Sequence, residues 1–268
     1  MRDVMPQKIL LSIAGFDPSG GAGVLLDLKV FQSLGFRGMA VLTSLTAQNT
    51  ERLAKVQSLS ARFILDQYLV LAEEVDIAGI KVGMLGSGRN IAALSQILDV
   101  NPKIPIVVDP VLKSTSGARL MEKKSFSRLF REVGGRATIL TPNLAEAALI
   151  SGVEIRTVQD LMLAAGRIYG LAGTPCFIKG GHFPDKPADL LYDGRDYFLF
   201  KRKKIPKNVH GTGCFLASGI LGYLAQGKTL KSAVSLAGHL THEAIAHAVR
   251  IGRGRHVISF PLRENNSA

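Results

Sequence analysis

Apolar and polar positions alternate along the chain in blocks of two kinds. Short runs that are almost wholly apolar predict buried strands, and longer stretches with apolar residues three and four apart predict helices. The predicted strands are residues 8–14, 39–45, 77–82, 104–109, 137–140 and 176–179. The predicted helices between them are residues 24–34, 61–75, 91–98, 124–132, 144–151 and 158–171. Such alternation is typical of a parallel sheet with helices on both faces.

The last third of the chain departs from this alternation. Residues 189–200 read as a hairpin that turns at Asp193 and Gly194, and two helices follow at 214–226 and 230–250. A hairpin adds antiparallel strands, so we expect a small antiparallel edge on the otherwise parallel sheet. The whole is a three-layer α/β/α arrangement. We expect one domain over residues 1–268, with a frayed polar tail at 263–268.

Length and composition are those of a globular chain, with 268 residues of which 47% are hydrophobic. No apolar run approaches the roughly 18 residues that a membrane span needs, and the first residues lack the apolar stretch of a signal peptide. We therefore expect a cytoplasmic protein without membrane partners. The two cysteines, Cys176 and Cys214, form no CxxC motif, which argues against a disulfide framework or a cysteine zinc site.

The net charge of +12 raises the question of nucleic-acid binding. The basic residues, however, lie in separate short clusters such as 201–204, aromatic residues make up only 6% of the chain, and no nucleic-acid-binding signature is present. We therefore expect no nucleic-acid partner. A basic surface that attracts phosphorylated small molecules is the preferred explanation.

Two glycine-rich loops stand where a predicted strand hands over to a predicted helix. The loop at 15–23, GFDPSGGAG, could bring backbone close to a ligand, or could be no more than a tight turn. The loop at 210–214, HGTGC, opens a long helix, so its free amides and the positive end of the helix dipole favour an anion. Gly211, Thr212, Gly213 and Cys214 are therefore candidate catalytic residues.

The Cys214 thiol is a candidate for receiving or steering the proton of a phosphoryl acceptor. A thiol at a helix N-terminus lies in a field that stabilises the thiolate, so we expect a pKa below the ordinary value of about 8.5. A base whose pKa lies near the working pH is the effective one. The alternative is that Cys214 only packs at the helix end while the glycine amides supply the catalysis.

Polar residues also cluster at the predicted carboxyl ends of strands. They are Asp109, Asn143, Glu146 and Lys179. Each could be a solvated loop residue, but all four are expected at one edge of the sheet beside the anion-binding loop. Phosphoryl transfer needs carboxylates for Mg²⁺, a cation for phosphate oxygens and amides for the transferred group. A shared nucleotide and phosphate site with ATP and Mg²⁺ is therefore the preferred interpretation.

One further pattern has the spelling of a P-loop but the wrong context. Residues 222–229 match GxxxxGK[ST], yet residues 215–224 read as a helix, whereas a P-loop follows a strand. Gly227 is better explained as the end of that helix, with Lys228 on the connecting turn. We do not expect ATP to bind there.

Taken together, the motifs resemble those of the hydroxymethylpyrimidine and phosphomethylpyrimidine kinases of thiamine synthesis, within the ribokinase superfamily. The matching stretches run in the family's order: AGFDPSGGAG at 14–23, DLK at 27–29, LTAQNT at 45–50, GMLG at 83–86, VDPV at 108–111, TPNLAEA at 141–147, KGGH at 179–182 and HGTGC at 210–214. The resemblance implies a ribokinase-like fold and ATP-dependent phosphorylation of a hydroxymethylpyrimidine and then of its monophosphate. As a further partner we expect a second copy of the chain in a homodimer.

The resemblance also implies roles for individual residues. Gln48 would hydrogen-bond the pyrimidine, with Asp27, Met84 and Gly15 nearby in the substrate pocket. An amide offers both a donor and an acceptor, which suits an aminopyrimidine. On the other side of the site, Asp109 and Glu146 would act through Mg²⁺ and its waters, Lys179 would lie near the phosphates, and residues 211–214 would form the anion hole.

The chain departs from the family's usual pattern at a few positions that bear on the pocket. Phe16 and Lys113 stand where small or apolar residues are usual, and Phe215 stands where threonine is common. Pyridoxal kinase is the close alternative, because related kinases share the fold and a cysteine-bearing loop. A non-catalytic pyrimidine-binding regulator is an alternative of another class, against which the retained phosphoryl-transfer residues argue.

Overall fold

A nine-stranded sheet runs through the computed structural model, which describes residues 7–112, 121–180 and 188–260. Strands β1 to β9 are Ile9–Phe16, Arg37–Gln48, Leu53–Ser58, Ile77–Val82, Ile106–Val108, Ile139–Leu140, Cys176–Ile178, Ala188–Tyr192 and Tyr197–Lys201. Their order is β3-β2-β1-β4-β5-β6-β7-β8-β9. Strands β1, β2, β4, β5, β6 and β7 are parallel to one another. Strand β3 at one edge and strands β8 and β9 at the other pair antiparallel.

Helices cover both faces of this sheet. They are α1 Gly23–Ser33, α2 Ala61–Ala72, α3 Ile91–Asp99, α4 Lys123–Val133, α5 Leu144–Ser151, α6 Val158–Ala172, α7 Thr212–Ala225 and α8 Leu230–Ala246. Alternate residues of β1 serve the two faces: Leu11 and Ile13 pack in the cluster that contains α2, α3, α4 and α6, and Leu10 packs in the cluster with α1, α7 and α8. This is the three-layer α/β/α architecture that the alternation predicts.

The predicted strands and helices are all present, and the differences lie at the edges. Strand β3 was not predicted, because its Leu53 and Val56 are three apart and break strict alternation, so antiparallel pairing occurs at both edges of the sheet rather than one. Helix α8 ends at Ala246 instead of reaching residue 250. The chain then turns back, so that β11 (His256–Val257) pairs with β10 (Val209–His210), two strands too short for any period to reveal.

The P-loop spelling at 222–229 lies in a helix and the turn after it, as expected. Gly222 is inside α7, and Gly227 has a φ of +82° in the connection to α8, a conformation that favours glycine. Lys228 is exposed on that turn. Helix α7 has 14 residues, so Lys228 lies about 21 Å from the glycine loop that begins the helix.

Replacing Lys228 by alanine is therefore expected to leave the Michaelis constant for ATP within about twofold of the parent value, as for an ordinary surface substitution. Steady-state kinetics with varied ATP measure this. A tenfold or larger rise in that constant, in a variant with an unchanged melting temperature, would show that the turn binds the nucleotide after all.

Candidate active site

The residues singled out from the sequence meet at the carboxyl edge of the parallel strands. Gly15 lies at the end of β1, Gln48 ends β2, Met84 follows β4, Asp109 follows β5 directly, and Lys179 follows β7 directly. In open α/β sheets ligands bind at this edge. The fold therefore brings the residues predicted for the substrate pocket and those predicted for the nucleotide and phosphate site to the same edge of the sheet.

An ion pair between Lys179 and Asp109 forms the centre of the site. Lys179 Nζ lies 2.6 Å from Asp109 Oδ1, and the Thr141 hydroxyl donates to the same oxygen at 3.0 Å. Burial lowers the pKa of Lys179, but the negative charges of Asp109 and Glu146 outweigh it and leave that pKa above its ordinary value. Lys179 is thus a permanent cation at the edge of the sheet.

Asn143 and Glu146 begin α5 through a reciprocal capping box. Asn143 Oδ1 accepts from the Glu146 amide at 3.0 Å, and Glu146 Oε2 accepts from the Asn143 amide at 2.9 Å. Glu146 Oε1 also accepts from the Leu112 amide at 3.2 Å. Burial raises the pKa of Glu146 to about 7, with the charge of Lys179 opposing this rise and that of Asp109 adding to it. A bound cation would favour the ionised form.

The glycine loop before α7 approaches this cluster closely. Gly211 has a φ of +80°, and a Cβ on it would collide with the carbonyl oxygen of Gly21, so only glycine fits there. A Cβ on Gly213 would lie 3.2 Å from Lys179 Nζ and 3.7 Å from Asp109 Oδ2. The amides of the first turn of α7, including that of Thr212, have no acceptors within the helix. Amides, ammonium and carboxylate therefore face one small volume, which suits a phosphate group.

The structure corrects the expected pKa of Cys214. The side chain lies in the first turn of α7 and is partly exposed, but most of its surroundings are protein. This desolvation raises the pKa of the thiol, and the charges of Asp27 and Asp109 add to the rise. The ammonium of Lys81 and a hydrogen bond from the Gly23 amide oppose it without reversing it. The prediction of a lowered pKa for Cys214 is wrong, because it rests on the field at the helix N-terminus alone, and the burial of the thiol raises its pKa by more.

Gln48 lines a cavity of about 400 Å³, together with residues 49–51 and 251–253. Its Nε2 lies 3.0 Å from His210 Nε2 and 3.4 Å from Asp17 Oδ2, and His210 Nε2 lies 2.9 Å from the same carboxylate oxygen. Burial raises the pKa of Asp17, but hydrogen bonds from His210 and Ser19 lower it further than burial raises it. His210 Nε2 donates to the charged carboxylate, so it is Asp17 that accepts from the Gln48 Nε2 group and holds this end of the amide.

Gly15 and Met84 are neighbours in the structure. A Cβ on Gly15 would lie 2.9 Å from Ser44 Oγ and 3.2 Å from Met84 Sδ, so the missing side chain lets the end of β1 approach both residues. Ser44 Oγ is buried and has no hydrogen-bond partner among the described residues. Sequence reasoning did not single out Ser44, which no spacing signal marks.

Asp27 does not lie in the pocket. Its side chain is fully buried on α1, where Lys81 Nζ lies 2.9 Å from Oδ2 and the hydroxyls of Ser12 and Ser218 donate at 2.6 and 2.8 Å. Both carboxylate oxygens are thus occupied by protein groups, which corrects the expectation that Asp27 contacts the substrate. Sequence reasoning missed Lys81, although a lysine inside the apolar strand Ile77–Val82 is itself a signal.

The departures from the usual family pattern fall in different places. Phe16 ends β1, and its carbonyl accepts from the Thr46 hydroxyl at 2.9 Å. Phe215 in α7 is only 1% exposed and packs against Phe260 with ring centroids 5.6 Å apart, so its side chain belongs to the hydrophobic core. Lys113, residues 181–182 of the KGGH motif and the tail 263–268 lie outside the described residues.

The oxygen ligands suit Mg²⁺ held through water. Asp109 Oδ1 is taken by Lys179 and Thr141, while Oδ2 has no hydrogen bond among the described residues and faces Gly213. Among the residues that the structure describes, the two Glu146 oxygens accept only from backbone amides. No cluster of three or more ligating side chains occurs in the described part of the chain. A hydrated cation that keeps most of its waters fits this arrangement, and Mg²⁺ is such a cation.

In the described ranges, no helix has both the length and the apolar character that crossing a bilayer requires.

Comparison with known proteins covers nearly the whole chain. Residues 17–259 match the family described as phosphomethylpyrimidine kinase. A hydroxymethylpyrimidine/phosphomethylpyrimidine kinase of Aquifex aeolicus is 36% identical over 254 residues, which cover 94% of this chain and 100% of that protein.

Two solved structures share the fold. A phosphomethylpyrimidine kinase from Clostridium difficile superposes with a TM-score of 0.79 at 35% identity, covering 89% of this chain and 100% of that one. A pyridoxal kinase from Staphylococcus aureus, in complex with AMP-PCP and pyridoxal, superposes with a TM-score of 0.85 at 30% identity, covering 95% and 93% of the two chains. The sheet with its helices on both faces is thus that of the ribokinase-like kinases.

Proposed function

The chain belongs to the phosphomethylpyrimidine kinase family, and we propose that it uses ATP to phosphorylate 4-amino-5-hydroxymethyl-2-methylpyrimidine and then the resulting monophosphate, as in thiamine synthesis. The observation that carries the phosphoryl-transfer chemistry is the meeting of Lys179, Asp109 and the first turn of α7 in one volume, seen in the short distances from Gly213. Positioning and electrostatic stabilisation are what this reaction asks of a protein.

On the nucleotide side, Lys179 would pair with phosphate oxygens and the amides of residues 211–214 would stabilise the transferred phosphoryl group. Asp109 and Glu146 would hold Mg²⁺ through its waters, with Asn143 fixing the Glu146 carboxylate through the capping box. The ion would neutralise charge on the phosphates. Cys214 would receive or steer the proton that leaves the acceptor hydroxyl, because it shares the first turn of α7 with these amides.

On the acceptor side, Gln48 would read the aminopyrimidine. Asp17 accepts from its Nε2, which leaves Oε1 to accept from the exocyclic amine of the ring. Gly15 and Met84, which are neighbours at the carboxyl edge of the sheet, would contact the pyrimidine ring on the side that faces the sheet.

Pyridoxal is the second candidate acceptor, since the Staphylococcus aureus pyridoxal kinase superposes closely. A coupled ATP-consumption assay with hydroxymethylpyrimidine, its monophosphate and pyridoxal tests the assignment. We expect turnover with both pyrimidines at kcat/KM values well above that for pyridoxal. The opposite order would make the chain a pyridoxal kinase that shares this family's fold.

Replacing Gln48 by alanine is expected to raise KM for both pyrimidine acceptors by about tenfold or more, because a polar ring atom loses its partner in the site. The KM for ATP should stay near the parent value. Gln57→Ala, which removes an exposed amide on the neighbouring strand β3, is the matched control. A Gln48→Ala variant that lost one phosphorylation step and kept the other would contradict the use of a single site.

We further propose that residues 1–268 act as one kinase domain, in the cytoplasm and as a homodimer. The basic surface would serve to attract anionic substrates, with nucleic acid outside the set of partners.

A further inference from the structure

A fully buried ion pair lies beneath the glycine loop of the site. Neither Asp27 on α1 nor Lys81 on β4 has any exposed surface, and Lys81 Nζ lies 2.9 Å from Asp27 Oδ2. Ser12 and Ser218 donate to the two carboxylate oxygens. Burying such a pair costs desolvation that the attraction barely offsets, and apolar side chains in its place are often as stable. The pair therefore calls for a reason other than stability.

The position of the pair points to that reason. On α7, Ser218 lies one turn after Cys214, and on α1, Asp27 lies one turn after Gly23, so the pair lies about 6 Å along both helices from their first turns. Neither helix has a side-chain cap at its N-terminus. The loops that precede the two helices touch each other, since a Cβ on Gly211 would collide with the Gly21 carbonyl, so the first turns of both helices lie side by side next to Cys214.

The Lys81 ammonium is only partly used by Asp27. It has three N–H donors, and one hydrogen bond, to Asp27, is made among the described residues. A Cβ on Gly83 would lie 2.8 Å from Lys81 Nζ, so the glycine leaves room beside the ammonium at the carboxyl end of β4, where the site lies. The charged groups that act on the Cys214 thiol are Lys81 from β4, Asp27 from α1, Asp109 after β5 and Lys179 after β7.

We propose that Asp27 and Lys81 are positioning residues for the anion-binding loop. Asp27 ties α1 to α7 through Ser218, and the ammonium of Lys81 supplies a fixed positive charge beneath Cys214 that stabilises negative charge on the sulfur and on the group bound above it. The part of this proposal that concerns phosphoryl transfer rests on the proposed function, whereas the effect of Lys81 on the Cys214 thiol does not.

The rate at which iodoacetamide alkylates Cys214, followed by mass spectrometry at one pH, tests the proposal without any substrate. The double variant Lys81→Met/Asp27→Asn leaves no unpaired buried charge. The ammonium acts on the thiol more strongly than the carboxylate does, so losing both should slow the reaction of Cys214 by about two- to fivefold, since one full pKa unit is a tenfold change in thiolate. Its kcat should fall by a similar factor with KM for ATP unchanged. Alkylation at the parent rate or faster would overturn the proposal.

Two further variants separate charge from packing. Ser218→Ala loosens the link between α1 and α7 but keeps the ion pair, so its alkylation should stay close to the parent rate; a drop as large as that of the double variant would overturn the charge argument. If the double variant does not fold, Asp27→Asn alone decides, because the asparagine oxygen can still accept from the ammonium and the variant should alkylate at or above the parent rate. A slower reaction there would overturn the proposal.

Thr174→Val is the matched control for lost stability. It removes a buried hydroxyl that donates to the Gly134 carbonyl at 2.6 Å, before β7 and so at the opposite edge of the sheet. Its melting temperature should fall, while the alkylation of Cys214 should not change. The second cysteine, Cys176, does not confuse the measurement, because burial raises the pKa of its thiol to about 12.

Discussion

Replacing Lys179 by methionine is expected to lower kcat by about 10³-fold, since groups that stabilise the transferred charge are commonly worth 10²- to 10³-fold each. Lys179 is the cation that lies 2.6 Å from Asp109 and beside the first turn of α7, and its raised pKa keeps it charged throughout the working pH range. Methionine keeps the length of the side chain and removes the charge. The KM for the pyrimidine should change little, because Gln48 holds the ring at the other end of the site.

Stability must be measured beside activity in this variant. Without the ammonium, the buried Asp109 carboxylate retains, among the described side chains, only the Thr141 hydroxyl, so the melting temperature should fall as well. Rates are therefore expressed per folded molecule. Lys55→Met, which removes an exposed lysine of β3, is the control for loss of charge alone. A Lys179→Met variant with kcat within about threefold of the parent would contradict the role in phosphoryl transfer.

The edge of the sheet that carries the site could be predicted from periodicity alone. Apolar runs locate the strands, and the residue that follows a buried run lies at the carboxyl end of a strand, which is why Asp109 and Lys179 were found together. The capping box of Asn143 and Glu146 is likewise local, with a polar cap and an acidic residue three positions later. These features need no knowledge of what packs against them.

What could not be predicted depends on packing between distant segments. The pKa of Cys214 depends on how much protein surrounds the sulfur atom, and the fate of Asp27 depends on Lys81, which is 54 residues away in the chain. The helix-end field that favours a thiolate is visible in the sequence, whereas the desolvation that opposes it is not. The pairing of β10 with β11 was missed for the same reason, because it joins segments some 47 residues apart.

Cys214→Ser is expected to lower kcat by about 10²-fold while leaving both KM values near those of the parent. The thiol shares the first turn of α7 with the amides proposed to bind the transferred group, so it is placed to take the acceptor proton. Serine keeps the shape of the helix end but is a much weaker base. If Cys214 only packs there, the substitution should be mild.

The raised pKa of the thiol gives this prediction a pH dependence. Only the thiolate can accept a proton, and burial moves its formation to higher pH, so kcat of the parent should rise as the pH increases above neutrality until the thiol has titrated. In Cys214→Asp a carboxylate replaces the thiolate, and the rise should move to lower pH with substantial activity retained. Cys176→Ala, which removes the other cysteine from the core, should keep the parent profile. Near-parent turnover in Cys214→Ser, or the same pH profile in Cys214→Asp as in the parent, would show that the amides of residues 211–213 perform the transfer without a thiol base.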